Sequence, residues 1–368
     1  MTAQPPLKAL GMMSGTSLDG IDAAILVSDG ARTLEKGASL SIPYDPVFRE
    51  KLRGCLGLSP DAPGVDGVAR ELTISHAKVV EKLLSENGLV AGDVNLIGFH
   101  GHTTLHRPED RLTVQIGDPA LLAAETGINV IGDFRLNDVA HGGEGAPFAS
   151  LYHVALSRDL EKPLAVQNIG GVGNVTWIGD GGSTEEPNIL AFDTGPGNAL
   201  IDDWVAETLG RPMDEGGRLA RAGTVDEDRL AQLLDNPYFA GTPPKSLDRD
   251  DFDNARDIIE GLAPEDGAAT LAAFTVQSIV KSLDHLPALP KRWLVTGGGR
   301  HNQTLMAMLG EALGVPVEGV EAVNYDGDVL EAQAFAFLAI RSRYGLPLSL
   351  PTTTNVPRPL SGGVLYKA

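Results

Sequence analysis

Leu10-Gly11-Met12-Met13-Ser14-Gly15-Thr16-Ser17-Leu18-Asp19-Gly20-Ile21-Asp22 decides how this chain is read. An apolar run, Leu7 to Met13, leads into it, and Ile21-Asp22-Ala23-Ala24-Ile25-Leu26-Val27 leads out. Gly, Ser, Thr and Asp between two strand-like runs predict strand, glycine turn, strand. Glycine lets backbone N–H groups come close to an anion, because no Cβ stands in the way. Ser14, Thr16 and Ser17 add hydroxyl donors. Asp19 and Asp22 add carboxylates, which suit a phosphate-bound Mg²⁺ better than a bare phosphate. An ordinary hairpin with a polar tip accounts for this stretch equally well. A Walker A loop does not, since no Lys follows the glycines and a strand replaces the helix. Nor does any Gly-x-Ser-x-Gly elbow run through Ser14 or Ser17.

A similar device recurs later. Leu164 to Ile169 reads as a strand, Gly170-Gly171-Val172-Gly173-Asn174 as a glycine turn, and Val175 to Ile178 as a returning strand. Two such hairpins, each opening an α/β half of comparable length, suggest internal duplication. Further on, Ile189-Leu190-Ala191-Phe192 forms a buried strand that delivers Asp193 to its C-terminal end. Thr194-Gly195-Pro196-Gly197-Asn198 then opens a helix through Trp204 and Leu209. A carboxylate at a strand end beside a helix N-terminus is well placed as a general base; capping the turn is the structural alternative. The strand Arg292 to Thr296 runs into Gly297-Gly298-Gly299, which offers room for a nucleotide or simply makes a βα turn.

The remaining elements fill out the two halves. Arg32 to Ile42 predicts a third strand, and Gly67 to Asn87 a helix with apolar residues at helical spacing. Val94 to His100 predicts a strand ending in a polar loop, His100 to His106. Its three histidines invite a zinc reading, but no carboxylate or cysteine in the segment completes a ligand set. After the strand Ile128 to Asp133, Arg135 and Asp138 either grip a polar substrate or pair with each other. Met213 to Asp253 is polar and irregular, a lobe over a cleft or a mobile lid. Asp326 or Asp328 caps a final helix with Glu331 in its first turn. The tail after Tyr344 is extended and returns to the first half.

Composition narrows the function. The 368 residues are long enough for about two domains. Apolar residues make up 42% and charged residues 21%, as in a folded globular protein. A formal net charge of −20 argues against nucleic acid and against anionic lipid as partners. The single cysteine, Cys55, excludes an internal disulfide and a four-thiolate zinc site, and fits a reducing cytoplasm. Met1 to Lys8 lacks a signal-peptide core, and the apolar helical run Gly267 to Val280 is too short to span a bilayer.

Taken together, Gly11 to Asp22, Gln115 to Pro119, Gly132 to Arg135, Gly142 to Pro147, Asn168 to Asn174, Phe192 to Asn198, Pro243-Pro244-Lys245-Ser246, Thr296 to Gly299 and Glu331-Ala332 resemble the anhydro-N-acetylmuramic acid kinase family. The resemblance runs along nearly the whole chain. It implies an α/β fold of two ribonuclease-H-like domains, with mixed sheets flanked by helices in an actin-like ATPase architecture with a central cleft. The implied division is 1–140 plus 341–368, and 141–340. It implies ATP at Gly15, Thr16, Ser17, Leu18, Asp19, Gly20, Ile21 and Asp22, at Gly170, Gly171 and Asn174, and at Gly297, Gly298 and Gly299. Asp193 is the implied catalytic residue. Arg135, Asp138, Gly143, Gly195 and Glu331 are the implied substrate contacts, and Asp19 and Asp22 the Mg²⁺ ligands. The implied protein is a cytoplasmic homodimer that opens 1,6-anhydro-N-acetylmuramic acid and phosphorylates it in peptidoglycan recycling. The chain departs from the family pattern at His102, Glu144 and Leu247-Asp248-Arg249-Asp250, which touches the lid and the substrate fit. Rival classes are another kinase or phosphatase of the same superfamily, a non-catalytic ATP clamp, and a histidine-centred metallohydrolase.

Overall fold

The computed structural model describes residues 4–368 apart from Thr16, Thr33 and 183–185. Strands in chain order are β1 Leu7–Ser14, β2 Gly20–Ser28, β3 Leu34–Pro43, β4 Leu96–Arg107, β5 Leu112–Ile116, β6 Val130–Gly132, β7 Leu164–Ile169, β8 Val172–Gly182, β9 Pro187–Pro196, β10 Trp293–Thr296, β11 Val317–Gly319 and β12 Val364–Tyr366. The chain divides into two compact units. The first runs to Asp159 and takes in Asp328–Ala368; the second holds Leu160–Gly182 and Pro187–Gly327.

In the first unit the strand order is β12-β6-β4-β1-β2-β3, with β5 paired to β4. β1, β2 and β3 form an antiparallel meander, and β4 and β6 run parallel to β1 on its other side. In the second unit the order is β11-β10-β7-β8-β9. Again three antiparallel strands, β7-β8-β9, are followed by two parallel ones, β10 and β11. The duplication expected from two glycine hairpins is thus present as repeated topology, on mixed sheets packed with helices.

The helix Leu330–Arg343 explains where the chain divides. It is buried from Leu330 to Arg341 except at Glu331, as an enclosed helix must be. It lies on β1 and β4 where two register partners, Gly11 and Gly98, remove side chains from the sheet. A Cβ on Gly11 would sit 1.8 Å from the Ala332 carbonyl oxygen, and one on Gly98 2.2 Å from that of Phe335. The helix therefore belongs to the first sheet, and the division falls at 159 and 328 where the sequence suggested 140 and 340. The N-cap position itself is Val329, so neither Asp326 nor Asp328 occupies it. The tail does return to the first unit, where β12 pairs antiparallel with β6.

Two further expectations change. His100 to His106 is not a loop: β4 continues to Arg107, because β5 supplies an antiparallel partner from Arg107↔Leu112 to His102↔Ile116. The polar stretch 213–253 is not a loose lid either. It contributes Leu230, Leu233, Phe239, Leu247 and Phe252 to the buried core of the second unit. No described helix is long and apolar enough to cross a membrane.

Candidate active site

Parallel pairing brings functional residues to one edge of each sheet, because the C-terminal ends of parallel strands lie together. In the first unit that edge carries the end of β1, the turn 15–19, the start of β2 and the residues after β6. Thr16 lies outside the described residues. Leu18 makes the turn rigid. Its φ is +58°, costly for a branched side chain, and its N–H donates to the Gly15 carbonyl at 3.1 Å. The side chain is fully buried in a cluster with Phe48, Leu52, Leu72, Leu105 and Ile116, which holds it in place. Asp19 closes the turn, accepting from Ser17 Oγ at 2.9 Å and from the Gly20 N–H at 3.0 Å.

Asp22 faces differently. Its register partners are Met13 and Ser41, and Ser41 Oγ donates to its Oδ1 at 2.6 Å. Burial pushes its carboxyl up to about 7, against the Ser41 hydrogen bond and with help from Asp19, Glu331 and Asp328. The implied substrate residue Glu331 therefore shares an electrostatic neighbourhood with the implied metal ligands. No group of three or more His, Cys, Asp or Glu that could hold a metal occurs among the described residues. A site with one or two carboxylates still fits Mg²⁺, which takes few protein ligands and completes its shell with phosphate and water. A cation beside Asp22 would also relieve the repulsion that raises its proton affinity.

Ser14, at the end of β1, shares hydrogen bonds with Tyr44 Oη at 2.6 Å and with His102 Nδ1 at 2.9 Å. Burial lowers His102 to about 4, so the ring is neutral at physiological pH. Arg135 Nε donates to His100 Nε2 at 3.0 Å, while His100 Nδ1 lies 3.0 Å from the Gly101 carbonyl oxygen. This assigns the proton to Nδ1 and a neutral ring, as burial and the Arg135 charge require. Arg135 Nη1 also donates to the Gly145 carbonyl. The histidines therefore serve the hydrogen bonding of β4 and its neighbours.

Asp138 is buried, and its carboxylate is occupied by the protein. The Gly145 N–H donates to Oδ1 at 2.7 Å and Thr354 Oγ1 to Oδ2 at 2.6 Å. Burial raises its pKa, against these bonds, one from Ser349 and the Arg135 charge. Asp138 fixes the glycine loop instead of pairing with Arg135 alone. Gly143 fits against it so closely that a Cβ would lie 2.2 Å from Oδ1.

In the second unit, β7, β9 and β10 run parallel, and three glycine turns converge at their ends. The Gly197 N–H donates to the Gly171 carbonyl at 2.9 Å and the Asn198 N–H to the Gly170 carbonyl at 2.7 Å. Asn198 Nδ2 reaches the Ile169 carbonyl at 3.0 Å. Gly297 and Gly299 pack onto Asn168 and Ile169, where a Cβ would lie 2.2 and 2.3 Å from its nearest atoms. Gly170 and Gly298 are different. A Cβ there would meet nothing nearer than 3.6 and 3.7 Å, and neither has a positive φ. The fold does not require glycine at these two places, whereas a closely approaching ligand would. Gly195 has a fold-level reason, a φ of +151° and Ser278 against it.

Asp193 lies within β9, three residues before its end, opposite Asn174. It is buried, its Oδ2 accepts from the Leu247 N–H at 2.9 Å, and its own N–H donates to the Lys245 carbonyl at 3.0 Å. The bond from the Leu247 N–H ties the carboxylate to a segment 54 residues away. Tyr238 and Lys245 surround it and escaped the sequence reading. The Pro-Pro-Lys-Ser run carried Lys245 into the family resemblance, but nothing linked it or Tyr238 to Asp193.

A match to the anhydro-N-acetylmuramic acid kinase family spans residues 7–368. The chain belongs to that family. The anhydro-N-acetylmuramic acid kinase of Rhodospirillum rubrum is 53% identical over 98% of this chain and 94% of its own length. That of Paramagnetospirillum magneticum is 52% identical over 96% and 98%. Family membership makes the chain a kinase, and so a phosphotransferase. Among solved structures, the activator of the 2-hydroxyisocaproyl-CoA dehydratase from Clostridium difficile with bound ADPNP aligns with a TM-score of 0.49 at 12% identity, over 92% of this chain and 96% of that one. A likeness that distant carries no functional weight.

Proposed function

We propose that this kinase opens the internal ether of 1,6-anhydro-N-acetylmuramic acid with water and transfers the γ-phosphoryl group of ATP to the freed O6. The products are N-acetylmuramate 6-phosphate and ADP, and the setting is peptidoglycan recycling in the cytoplasm by a homodimer. The observation that carries this reading is the buried Asp193 carboxylate, fixed by the Leu247 N–H on a strand that leads into the Gly170–Asn198 turns.

The chemistry follows from the substrate. An anhydro sugar has no free 6-hydroxyl, so ring opening must accompany transfer. Asp193 takes a proton from water, the water oxygen bonds to the anomeric carbon, and the C1–O6 bond breaks with its electron pair on O6. O6 then attacks the γ-phosphorus and ADP leaves. Phosphoryl transfer asks the protein mainly for positioning and charge neutralisation. The turn Gly15 to Asp22 and the turn at Gly170, Gly171 and Asn174 hold the phosphates, and Gly297 to Gly299 lie on the adenosine side. Asp22, with Asp19, holds Mg²⁺, which supplies positive charge to the phosphates when bound. Arg135, Gly143, Gly195 and Glu331 bind the sugar, and Asp138 shapes the loop that presents Gly143. The domains are the two units described, one with the first hairpin and one with Asp193.

The test is ADP release from the purified protein with ATP and a panel of sugars. The anhydro sugar alone should drive turnover, with product mass increased by one water and one phosphoryl group. Turnover with ordinary hexoses and none with the anhydro sugar would replace the substrate assignment.

A further inference from the structure

We propose that Lys245 and Tyr238 form a clasp that sets the orientation of the Asp193 carboxylate, an inference that rests on Asp193 acting as the base. Four bonds build it. The Asp193 N–H donates to the Lys245 carbonyl at 3.0 Å, and the Leu247 N–H donates to Asp193 Oδ2 at 2.9 Å. Tyr238, in the short turn Pro237–Ala240, donates its hydroxyl to the Asp193 carbonyl oxygen. Lys245 Nζ donates to the Tyr238 carbonyl at 2.7 Å and sits 4.3 Å from the Tyr238 ring centroid. Two segments remote in sequence thus hold Asp193 by its N–H, its carbonyl and its carboxylate, and the lysine ties those segments to each other.

The lysine is unusual for a side chain that normally seeks water. It is half-buried, reaches the Phe239 carbonyl at 3.4 Å as well, and lies 6.0 Å from the Phe192 ring centroid. Burial lowers its pKa to about 8. His285 Nε2 lies 3.0 Å from the same Phe239 carbonyl oxygen, so the backbone of this turn is gripped from two sides. Such a site favours one geometry for the turn, and through Tyr238 one geometry for Asp193. Tyr238 and Lys245 are therefore positioning residues. The payoff is in rate, since a base displaced by about 1 Å loses up to ~10²-fold.

Tyr238→Phe removes the donor to Asp193, and Lys245→Met removes the ammonium while keeping the stem. Each should lower kcat by about tenfold with both KM values within about twofold of wild type. Lys245→Arg, which keeps the charge, the donors and the ring contact, should recover most of that loss. In an Asp193→Asn background, where single-turnover rates are still measurable, neither substitution should reduce the rate further, because both act through the carboxylate. Wild-type kcat in Tyr238→Phe and Lys245→Met, beside a strongly slowed Asp193→Asn, overturns the clasp alone. So does an equal further loss in the Asn background, the mark of mere structural support. Wild-type turnover in Asp193→Asn overturns the base assignment and the clasp together. Should Tyr238→Phe fail to fold, the lysine series decides by the same criteria.

Discussion

The two units share one strand order yet present different chemistry at the same edge. In the first, five residues, 15–19, join β1 to β2, and the turn is fixed by a buried Leu18 and flanked by Asp19 and Asp22. In the second, only Gly170 and Gly171 join β7 to β8, and neighbouring glycine turns strap them down through backbone bonds. The third strands differ as well: β3 places Ser41 opposite Asp22, whereas β9 places Asp193 opposite Asn174. One scaffold thus puts a carboxylate on its second strand in one copy and on its third in the other. The first suits a phosphate-bound cation and the second a proton acceptor. The scaffold repeats, and single residues set which strand of each copy carries the carboxylate.

The largest effect that sharpens this contrast is structural. Gly11→Val should destabilise the first unit by at least about 3 kcal/mol, because its side chain would enter the backbone of the helix Leu330–Arg343. Thermal melting with hydrogen exchange of β1, β2 and β4 would report it, and a wild-type melt would contradict the packing.

A pH effect comes next. His76, His102 and His153 are lowered to about 4 and His100 well below its ordinary value, chiefly by burial, and all four lie in the first unit. An unfolded histidine titrates near 6.5, so their contribution to stability is full above 6.5 and is lost as pH falls towards 4. All three tryptophans, Trp177, Trp204 and Trp293, lie in the second unit. Acidification should therefore open amides of the first unit to exchange before tryptophan fluorescence changes. The opposite order would break the contrast.

Asp22→Asn tests the carboxylate on the second strand. It should raise the Mg²⁺ concentration for half-maximal activity by about tenfold. Burial raises the Asp22 pKa, so its contribution to stability is present below about 4 and is lost as pH rises through about 7. The variant should accordingly melt higher than wild type at pH 8, and an unchanged difference between pH 5 and pH 8 would dismiss the shift. The smallest effect is that of Gly170→Ala, whose Cβ meets no close neighbour. Its melting temperature should match wild type while the ATP KM rises severalfold. An unchanged KM would remove Gly170 from the phosphate turn.

Much of this was legible in the sequence because glycine turns between apolar runs are local signals. Both hairpins, the third strand and the helix Val65–Glu86 follow from them. The second hairpin marked a second half opening at Leu164, but the return of the last helix to the first unit was not legible. Leu330–Arg343 belongs to the first unit through Gly11 and Gly98, and no local pattern pairs residues that far apart. β5 was missed because Leu112 to Ile116 is short and acts only as a partner to β4. Asp138 read as an open carboxylate, since its donors Gly145 and Thr354 come from a loop and from the tail. The Asp193 surroundings failed for the same reason: Tyr238 and Leu247 reach it across long stretches of chain.

The measurement that tests the central claim most directly is the single-turnover rate of Asp193→Asn with ATP and 1,6-anhydro-N-acetylmuramic acid, alongside its thermal melt. Asn preserves shape but cannot take the proton from water. The rate should fall by about 10²–10⁴-fold at an unchanged melting temperature and unchanged ATP affinity. A folded Asp193→Asn enzyme that turns over at the wild-type rate would contradict the account.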